Sequence, residues 1–331
     1  MNEVCKEIYE NKFTPEELTL VLGFAETATG LGMAVASAIK DSYYITTTRE
    51  PIIDMKSCFD FEETHSHATS HQCFLNDINH LNVDRMILVD DEITTGNTML
   101  NLIESLENNL PYKNRKYTVL SILDWRNEDQ IKLYETFCKE HNVDIEVVSL
   151  ISGYIENDDN TVYTSKENNQ ITEKSDNIFY SCSLKNTYHN TINGKMKYIQ
   201  NSGRFGVSEE NIENLEESCK YIANGISTLL EKMEKKSNRV LVVGNGENIY
   251  IPSRIASYIE NASFKTTSRS PIYISNDNNY PIKERHYFVN KDVTYYYYDK
   301  SFIEEQYDCV IYITEDKYCP KLSEKQISVI L

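Results

Sequence analysis

The sequence predicts an α/β fold, in which a mostly parallel sheet carries helices on both faces and a second, smaller α/β unit follows. Short apolar strands alternate with helical segments through the first 150 residues, and this alternation is typical of parallel strands joined by helices. A polar stretch at 155–191 interrupts the pattern, and from Arg239 the alternation of strands and helices begins again.

Residue spacing predicts each element in order. Apolar or β-branched runs predict strands, and apolar residues repeating every three to four positions predict helices. The predicted strands are 18–23, 42–48, 85–89, 117–123 and 144–150. The predicted helices are 30–40, 96–107, 128–141 and 209–236. The long, polar, histidine-rich segment 51–80 has no clear period, so no element is predicted there.

The second unit repeats parts of the first. Val-Leu-Gly-Phe-Ala-Glu at 21–26 matches Val-Val-Gly-Asn-Gly-Glu at 242–247, 221 positions later. Thr-Thr-Thr-Arg-Glu-Pro-Ile at 46–52 matches Thr-Thr-Ser-Arg-Ser-Pro-Ile at 266–272, 220 positions later. Two matching blocks in the same order indicate an internal duplication.

The composition excludes several classes of function. A net charge of -18 argues against a sequence-independent nucleic-acid binder and against docking on an anionic membrane, because both need a basic face. No apolar run approaches the ~20 residues of a membrane span, and the N-terminus has no secretory signal. Eight cysteines without a C-x-x-C pair favour a reducing cytoplasm over zinc ribbons or disulfides. A phosphorylated small substrate stays compatible with the charge, because backbone amides, helix N-termini and Mg²⁺ bind phosphate.

The most informative stretch runs from Met86 to Thr98. Four apolar residues predict a buried strand, and Asp90 and Asp91 follow at its carboxyl end, which is the ligand-binding edge of a parallel sheet. A Thr-Thr-Gly-Asn-Thr turn at 94–98 then opens a helix, so amides, hydroxyls and the helix dipole converge. We interpret this as a phosphate cradle beside two carboxylates that can hold vicinal hydroxyls. A Rossmann-like turn with ordinary helix caps is the alternative, and a P-loop is disfavoured because its motif is missing.

This arrangement resembles the ribose-phosphate signature of the type I phosphoribosyltransferases. The blocks at 23–32, 47–51 and 61–71 resemble one subgroup of them, which is encoded near tellurite-resistance genes. Its C-terminal domain is named after a Thr-Arg-Ser-Pro motif, present here as Ser268-Arg269-Ser270-Pro271. The resemblance covers nearly the whole chain.

The resemblance implies three regions: a phosphoribosyltransferase domain at 1–152, a polar linker and helical segment at 153–236, and a TRSP-type accessory domain at 237–331. The accessory domain is expected to be Rossmann-like and a degenerate repeat of the first. The implied reaction is Mg²⁺-dependent transfer from phosphoribosyl pyrophosphate (PRPP) to a nitrogenous base. A homodimer is left open as its assembly.

Site roles follow from the same resemblance. Asp90 and Asp91 are expected to contact the ribose 2- and 3-hydroxyls. The 5-phosphate is expected to bind at Thr94, Thr95, Gly96, Asn97 and Thr98.

Pyrophosphate is expected at the loop after the first strand, formed by Ala25, Glu26, Thr27 and Ala28. Glu26 departs from the basic residue or glycine of many type I enzymes. It is expected either to bind Mg²⁺ or its water shell, or to be a simple acid in the first helical turn. Arg49 resembles the basic residue that touches pyrophosphate, and arginine suits such two-pronged contacts. A surface arginine at a strand end is the alternative.

His65, His67 and His71 fall where type I enzymes close a long mobile loop over the site. Their spacing, without cysteine or acidic ligands, is a weak zinc pattern. Contacts with pyrophosphate or the acceptor are therefore the preferred interpretation, and a plain solvated loop is the alternative. The second repeat is expected to shape either a pocket for the acceptor, with Glu247 and Arg269 in it, or an interface.

Two other functions remain open from the sequence. One is a non-catalytic sensor of PRPP or a nucleotide, and the other is a structural partner in a stress-response assembly. The link to tellurite comes only from the resemblance. The identity of the acceptor base is not determined by these residues.

Overall fold

The computed structural model divides the chain into two compact units. It describes residues 17–61, 71–75, 77–109, 116–154, 169–181, 183–233 and 239–331. The first unit comprises Met1–Asp158 and Gln200–Glu213, and the second comprises Asp159–Ile199 and Asn214–Leu331.

The described residues between 17 and 154 form alternating strands and helices. In chain order they are β1 (Thr19–Gly23), α1 (Ala28–Ala36), β2 (Ser42–Thr46), β3 (Phe59–Phe61), β4 (His71–Cys73), β5 (Arg85–Val89), β6 (Glu92–Ile93), α2 (Asn97–Asn109), β7 (Lys116–Asp124), α3 (Glu128–His141) and β8 (Asp144–Ser152). The predicted strand 85–89 and helix 128–141 are confirmed to the residue. The helix predicted at 30–40 starts and ends earlier, and the segment 51–80 contains the hairpin of β3 and β4, which its polar sequence did not indicate.

The rest of the chain adds strands in the middle and a second set of alternating elements. In chain order these are β9 (Asn169–Gln170), β10 (Ile178–Tyr180), β11 (Asn186–Thr191), β12 (Gly194–Ile199), β13 (Val207–Ser208), α4 (Glu209–Lys232), β14 (Val240–Gly244), α5 (Tyr250–Ser257), β15 (Ala262–Thr266), β16 (Arg285–Asn290), β17 (Val293–Tyr298), α6 (Lys300–Gln306), β18 (Cys309–Thr314) and β19 (Gln326–Ile330).

The sheet of the first unit has the order β13-β2-β1-β5-β7, and β6 and β8 both pair with β7. All of these pairs are parallel except the short antiparallel pair of β13 with β2. Parallel strands need helical crossovers that cover the sheet, and their side chains are then buried on both faces. The uninterrupted apolar runs of β1 and β5 fit this position, because every residue in both strands is buried.

Helices cover both faces of this sheet, as the sequence predicts. Leu20 and Ile45 belong to a buried cluster with Leu102 of α2 and Phe137 of α3. Tyr44 points to the opposite face, because successive side chains of a strand alternate. There its hydroxyl donates a hydrogen bond of 2.6 Å to the carbonyl of Thr29 in α1.

The second unit has a five-stranded parallel sheet with the order β15-β14-β18-β19-β10. Its first four strands follow the order of β2-β1-β5-β7 in the first sheet. An antiparallel hairpin, β16–β17, stands in the chain between β15 and β18, as the hairpin β3–β4 stands between β2 and β5. The fifth strands differ, because β10 precedes the other strands of its sheet in the chain.

The polar part of the segment 153–236, expected to be a linker ahead of a helix, contains strands where the structure describes it. β10 pairs with β19, β9 pairs with β16, and β11 and β12 form a hairpin. The predicted helix is present as α4, whereas the polar sequence did not indicate the strands because they are short and expose much of their surface. Among the described residues of 169–199, the buried apolar side chains are Ile171, Tyr198 and Ile199.

Within the described part of the chain, no helix has the length and apolar character needed to cross a membrane.

We expect Tyr44→Phe to destabilise the first unit. The substitution leaves the Thr29 carbonyl without its buried partner, and such a loss costs about 1–2 kcal/mol of unfolding free energy. Urea unfolding followed by the fluorescence of the single tryptophan, Trp125, measures the change, since Trp125 lies in this unit. Tyr43→Phe is the control, because Tyr43 is half-buried on the same strand. Equal unfolding free energies for the two variants would contradict a stabilising role for the bond between Tyr44 and Thr29.

Candidate active site

Three strands of the first sheet end side by side. Gly23 of β1 pairs in parallel register with Thr46 of β2 and with Val89 of β5. The segments that follow these residues therefore leave the sheet at one edge. The structure thus places the beginnings of three segments next to one another. They are the loop 25–28, the segment 47–49 that ends at Arg49 (the Arg49 segment), and the Asp90–Asp91 pair.

Backbone hydrogen bonds tie these segments together. The Phe24 amide donates to the Val89 carbonyl at 3.0 Å, and the Thr47 amide donates to the Gly23 carbonyl at 3.0 Å. The Ala25 amide donates to the buried hydroxyl of Thr47 at 2.9 Å. The loop after β1 is therefore held by the segment after β2. The Ala25–Glu26 peptide bond in this loop is cis.

The four predicted pyrophosphate-binding residues of this loop differ in access. Ala25 and Ala28 are buried, whereas Glu26 is half-buried and Thr27 is exposed. The Glu26 carbonyl accepts a bond of 3.0 Å from the Thr29 hydroxyl, which closes the turn into α1. Glu26 and Thr27 are therefore the side chains of this loop that an anion or a cation can reach.

Asp90 and Asp91 are held by their backbone rather than by burial. The Asp90 amide donates to the Leu120 carbonyl of β7 at 3.0 Å, and the Asp91 carbonyl accepts the amides of Ile122 and Leu123 at 3.2 Å. The Asp91 amide donates to Asp90 Oδ1 at 3.0 Å. Both residues are half-buried. Their carboxylates are therefore fixed near the sheet edge without being enclosed in the core.

The turn after the acid pair depends on Gly96. Its φ is +78°, a conformation that glycine adopts at no steric cost. A Cβ at this position would lie 2.5 Å from the Tyr134 hydroxyl oxygen. That hydroxyl donates to the Gly96 carbonyl at 2.8 Å, so α3 holds the turn in place. The helix α2 begins at Asn97, directly after it.

The hydroxyls predicted to hold a phosphate surround the start of α2. Thr94 is exposed, and Thr95 and Thr98 are half-buried. Thr95 accepts a long bond of 3.4 Å from the Asn97 amide. The first amides of a helix lack partners within the helix and carry its positive dipole end. The turn therefore has the chemistry of an anion site.

A buried ion pair that the sequence analysis missed stands at the end of β7. Arg126 contacts both carboxylate oxygens of Asp124 at 2.9 and 2.8 Å. Its guanidinium carbon lies 4.4 Å from the centre of the Tyr134 ring. Burial opposes ionisation of Asp124, but the hydrogen bonds from Arg126 outweigh it and lower the pKa of the carboxyl. The pair supports the tyrosine that holds Gly96, and no sequence motif marks it.

His71 is not part of a loop, contrary to the sequence prediction. It lies in β4, is 1% exposed, and its Nδ1 lies 3.0 Å from the Thr47 hydroxyl. Arg49 Nε donates to His71 Nε2 at 3.3 Å. The pairing of β4 with the segment after β2, through Thr48 and Gln72, draws His71 inward. His65 and His67 lie outside the described residues.

The two residues predicted in the second unit do come together. Arg269 Nη1 lies 3.9 Å from Glu247 Oε1, and the Glu247 side chain is 2% exposed. They follow β15 and β14, whose ends pair in parallel register as Thr266 and Gly244. The geometry places them at the edge that corresponds to the site in the first unit.

The acids after β18 serve the structure of the second unit. Glu315 accepts the Ile199 amide at 2.8 Å. Asp316 accepts Lys291 Nζ at 2.8 Å and Asn290 Nδ2 at 3.0 Å. Burial opposes the ionisation of Asp316, but these bonds outweigh it and lower its pKa.

Two family models match the chain. Residues 1–154 match the model described as "Phosphoribosyl transferase". Residues 201–330 match the model described as "TRSP domain C terminus to PRTase_2". The chain therefore belongs to the phosphoribosyltransferases that carry a TRSP domain after the transferase domain, the subgroup that the sequence motifs indicate.

Solved structures similar to this chain include adenine phosphoribosyltransferases. The Trypanosoma brucei enzyme has 18% identity and a TM-score of 0.32, over 45% of this chain and 63% of that one. The Giardia lamblia enzyme has 15% identity and a TM-score of 0.29, over 46% and 78%. The Leishmania tarentolae enzyme has 16% identity and a TM-score of 0.28, over 46% and 68%. This chain thus spans less than two thirds of the trypanosome enzyme. No curated protein matches the chain.

We expect Asp124→Asn to remove a pH-dependent part of the stability. The folded-state pKa of Asp124 is below its usual value, so the ionised pair stabilises the fold above that value and the effect fades as pH falls through the folded pKa. The stability difference from the native chain should be largest near neutrality and shrink between about pH 5 and pH 2.

Urea unfolding monitored by Trp125 at several pH values measures this difference. The control is Asp129→Asn, because the Asp129 side chain is 93% exposed and its pair with Lys132 lies at the surface. A difference for Asp124→Asn that stays constant with pH would show that the ion pair is not its source.

Proposed function

We propose that the first unit transfers the 5-phosphoribosyl group of PRPP to a nitrogenous base and releases pyrophosphate. The observation that carries this proposal is the meeting of three segments at one sheet edge: the loop 25–28, the Arg49 segment, and the acid pair with its glycine turn. In open α/β sheets, ligands bind outside the carboxyl ends of the strands. These segments offer an anion site on either side of two carboxylates.

Asp90 and Asp91 act on the sugar in this proposal. The half-buried carboxylates accept hydrogen bonds from the ribose 2- and 3-hydroxyls. Positive charge develops on the sugar ring as the bond to pyrophosphate breaks, as it does in glycoside chemistry. Fixed carboxylates nearby stabilise that charge without having to reorganise.

The two phosphate-bearing ends of PRPP are assigned to different segments. The turn 94–98 and the start of α2 receive the 5-phosphate through hydroxyls and amides. Arg49 and the loop 25–28 receive pyrophosphate, the leaving group. The base approaches C1 from the opposite side, and holding the two reactants in line supplies much of the rate.

Mg²⁺ is the cofactor in this proposal. Among the residues that the structure describes, no group of three or more His, Cys, Asp or Glu side chains is arranged to hold a metal. Mg²⁺ commonly takes one or two carboxylates together with substrate phosphates, so we expect it to arrive with PRPP. Asp90 and Asp91 are oxygen donors of the kind it prefers. When bound, the ion offsets negative charge on the leaving pyrophosphate.

The proposal includes partners, an assembly and a location. PRPP and an unidentified base are the expected partners, and a homodimer remains open. Composition supports a cytoplasmic location. The link to tellurite resistance is supported by the resemblance alone.

We expect the double variant Asp90→Asn, Asp91→Asn to lose transfer. Removing both negative charges should lower kcat by at least about 10²–10³-fold, which is typical for loss of preorganised electrostatic groups. The assay measures pyrophosphate release from PRPP and Mg²⁺ with a panel of purine and pyrimidine bases. Glu92→Gln is the control, because Glu92 is exposed in β6, directly after the acid pair.

Other outcomes of this assay separate the alternatives. PRPP binding without release for any base would favour a sensor. An absence of Mg²⁺-dependent PRPP binding would favour a structural partner, and it would overturn the proposal.

We further propose that Glu247 and Arg269 contribute to the use of the acceptor base and not to the binding of PRPP. The double variant Glu247→Gln, Arg269→Lys should keep the native Kd for PRPP, because the PRPP contacts are assigned to the first unit. It should lower turnover with the base found in the screen. Calorimetry and the release assay measure the two quantities, and native turnover on that base would contradict the assignment.

A further inference from the structure

A chain of hydrogen bonds links the loop after β1 to Arg49. The Ala25 amide donates to Thr47 Oγ1 at 2.9 Å, and His71 Nδ1 lies 3.0 Å from the same oxygen. Arg49 Nε donates to His71 Nε2 at 3.3 Å. A guanidinium has no acceptor, so Nε2 must accept and the ring proton must reside on Nδ1. The two lone pairs of Thr47 Oγ1 are then both used, by Ala25 and by His71.

The second unit reproduces the framework of this chain. The Gly246 amide donates to Thr267 Oγ1 at 3.1 Å, as Ala25 donates to Thr47. The Thr267 amide donates to the Gly244 carbonyl at 3.1 Å, as Thr47 donates to Gly23. The matching residues are 221 and 220 positions apart, as in the sequence repeat. The same crossing of loops therefore recurs.

The residue at the position of His71 contacts the matching arginine as well. Thr48 and Gln72 exchange backbone hydrogen bonds, and Ser268 and Tyr296 do the same. The residue before Gln72 is His71, and the residue before Tyr296 is Tyr295.

The Arg269 guanidinium carbon lies 5.7 Å from the centre of the Tyr295 ring, at the distance of a cation–π contact. Both units thus place an aromatic ring from a hairpin strand against the arginine.

The second unit also pairs its arginine with the loop acid. Arg269 and Glu247 lie 3.9 Å apart, and their counterparts are Arg49 and Glu26. This pair forms in a unit whose Asp316 is engaged with Lys291 and which has no Thr-Thr-Gly turn after its acids. Holding the arginine is therefore a property of the framework and does not require the phosphate cradle.

We propose that His71 and Glu26 are positioning residues that hold the Arg49 guanidinium ready for the pyrophosphate group of PRPP. This inference rests on the proposed function, which assigns pyrophosphate to Arg49. A free arginine side chain loses considerable rotamer freedom on binding, and an arginine already held loses less. His71 is 1% exposed, so it acts through Arg49 and not by touching the ligand. Glu26 is accordingly the ion-pair partner of Arg49 rather than a ligand of Mg²⁺.

Substitutions at residue 71 test the first half of this inference. His71→Ala should raise the Kd of magnesium pyrophosphate and of PRPP by roughly 10-fold, the scale of losing a group that orients a ligand-binding side chain. His71→Gln should recover affinity to within about 2-fold, because its Oε1 can stand where Nε2 stands and accept from Arg49. His80→Ala is the matched control, since His80 is exposed and stacks on Tyr43. Calorimetry with each ligand gives the Kd, and thermal unfolding verifies that each variant is folded.

Nuclear magnetic resonance of ¹⁵N-histidine provides a readout that needs neither ligand nor activity. The His71 signal of the native chain is assigned as the one that disappears in His71→Gln. It should show a protonated Nδ1 and an unprotonated Nε2. In Arg49→Lys it should change, because the bond to Nε2 is lost. A native His71 signal with its proton on Nε2 would overturn the inference.

Glu26→Gln separates the two roles of the acid. If Glu26 holds Arg49, the substitution should weaken pyrophosphate binding by the same factor at every Mg²⁺ concentration. If Glu26 is a metal ligand, the substitution should raise the Mg²⁺ concentration needed for half-maximal binding. The second result would overturn the assignment of Glu26.

The outcomes also distinguish this inference from the proposed function. If the native chain binds neither PRPP nor pyrophosphate, both the proposed function and the inference fail. If the native chain binds both and His71→Ala binds equally well, the inference alone fails.

Discussion

The parallel register of β1 with β2 and β5 is the constraint on which the candidate site depends. Because Gly23 pairs with both Thr46 and Val89, three chain segments far apart in sequence leave the sheet at the same edge. Burial of every residue of β1 and β5 fixes these strands, since a slip by one residue would turn their side chains to the other face. The position of the edge is thus set by the pairing of buried strands.

The proposed site suits an anionic ligand although the protein is acidic. The net charge of -18 governs long-range attraction, but salt screens exposed charges beyond about 8–10 Å. In the proposed site, the amides at the start of α2 and the guanidinium of Arg49 are the groups assigned to the phosphate and pyrophosphate of the ligand. The charge of Arg126 is neutralised by its ion pair with Asp124. Arg126 therefore supports the turn at Gly96 and adds little to the attraction of an anionic ligand.

The duplication lets each unit serve as a comparison for the other. Both keep the threonine that ties the first loop, the arginine two residues later, and an aromatic ring from a hairpin against that arginine. They differ after β5 of the first unit and β18 of the second. There the first unit presents Asp90 and Asp91 before a glycine turn, whereas the second commits Glu315 and Asp316 to internal hydrogen bonds. A shared framework with different strand ends suits two units with different tasks.

The sequence by itself determined the parts that depend on local spacing. The apolar run 85–89, the capped helix 128–141 and the acid pair before a glycine turn each carry their own signal, as does the repeat. Only the tertiary structure decided the rest. It buried His71, joined Asp124 to Arg126 behind the turn, and gave the second sheet β10 from a polar segment. These features arise from contacts between segments distant in the chain, and polar residues satisfied by such contacts look in sequence like residues exposed to water.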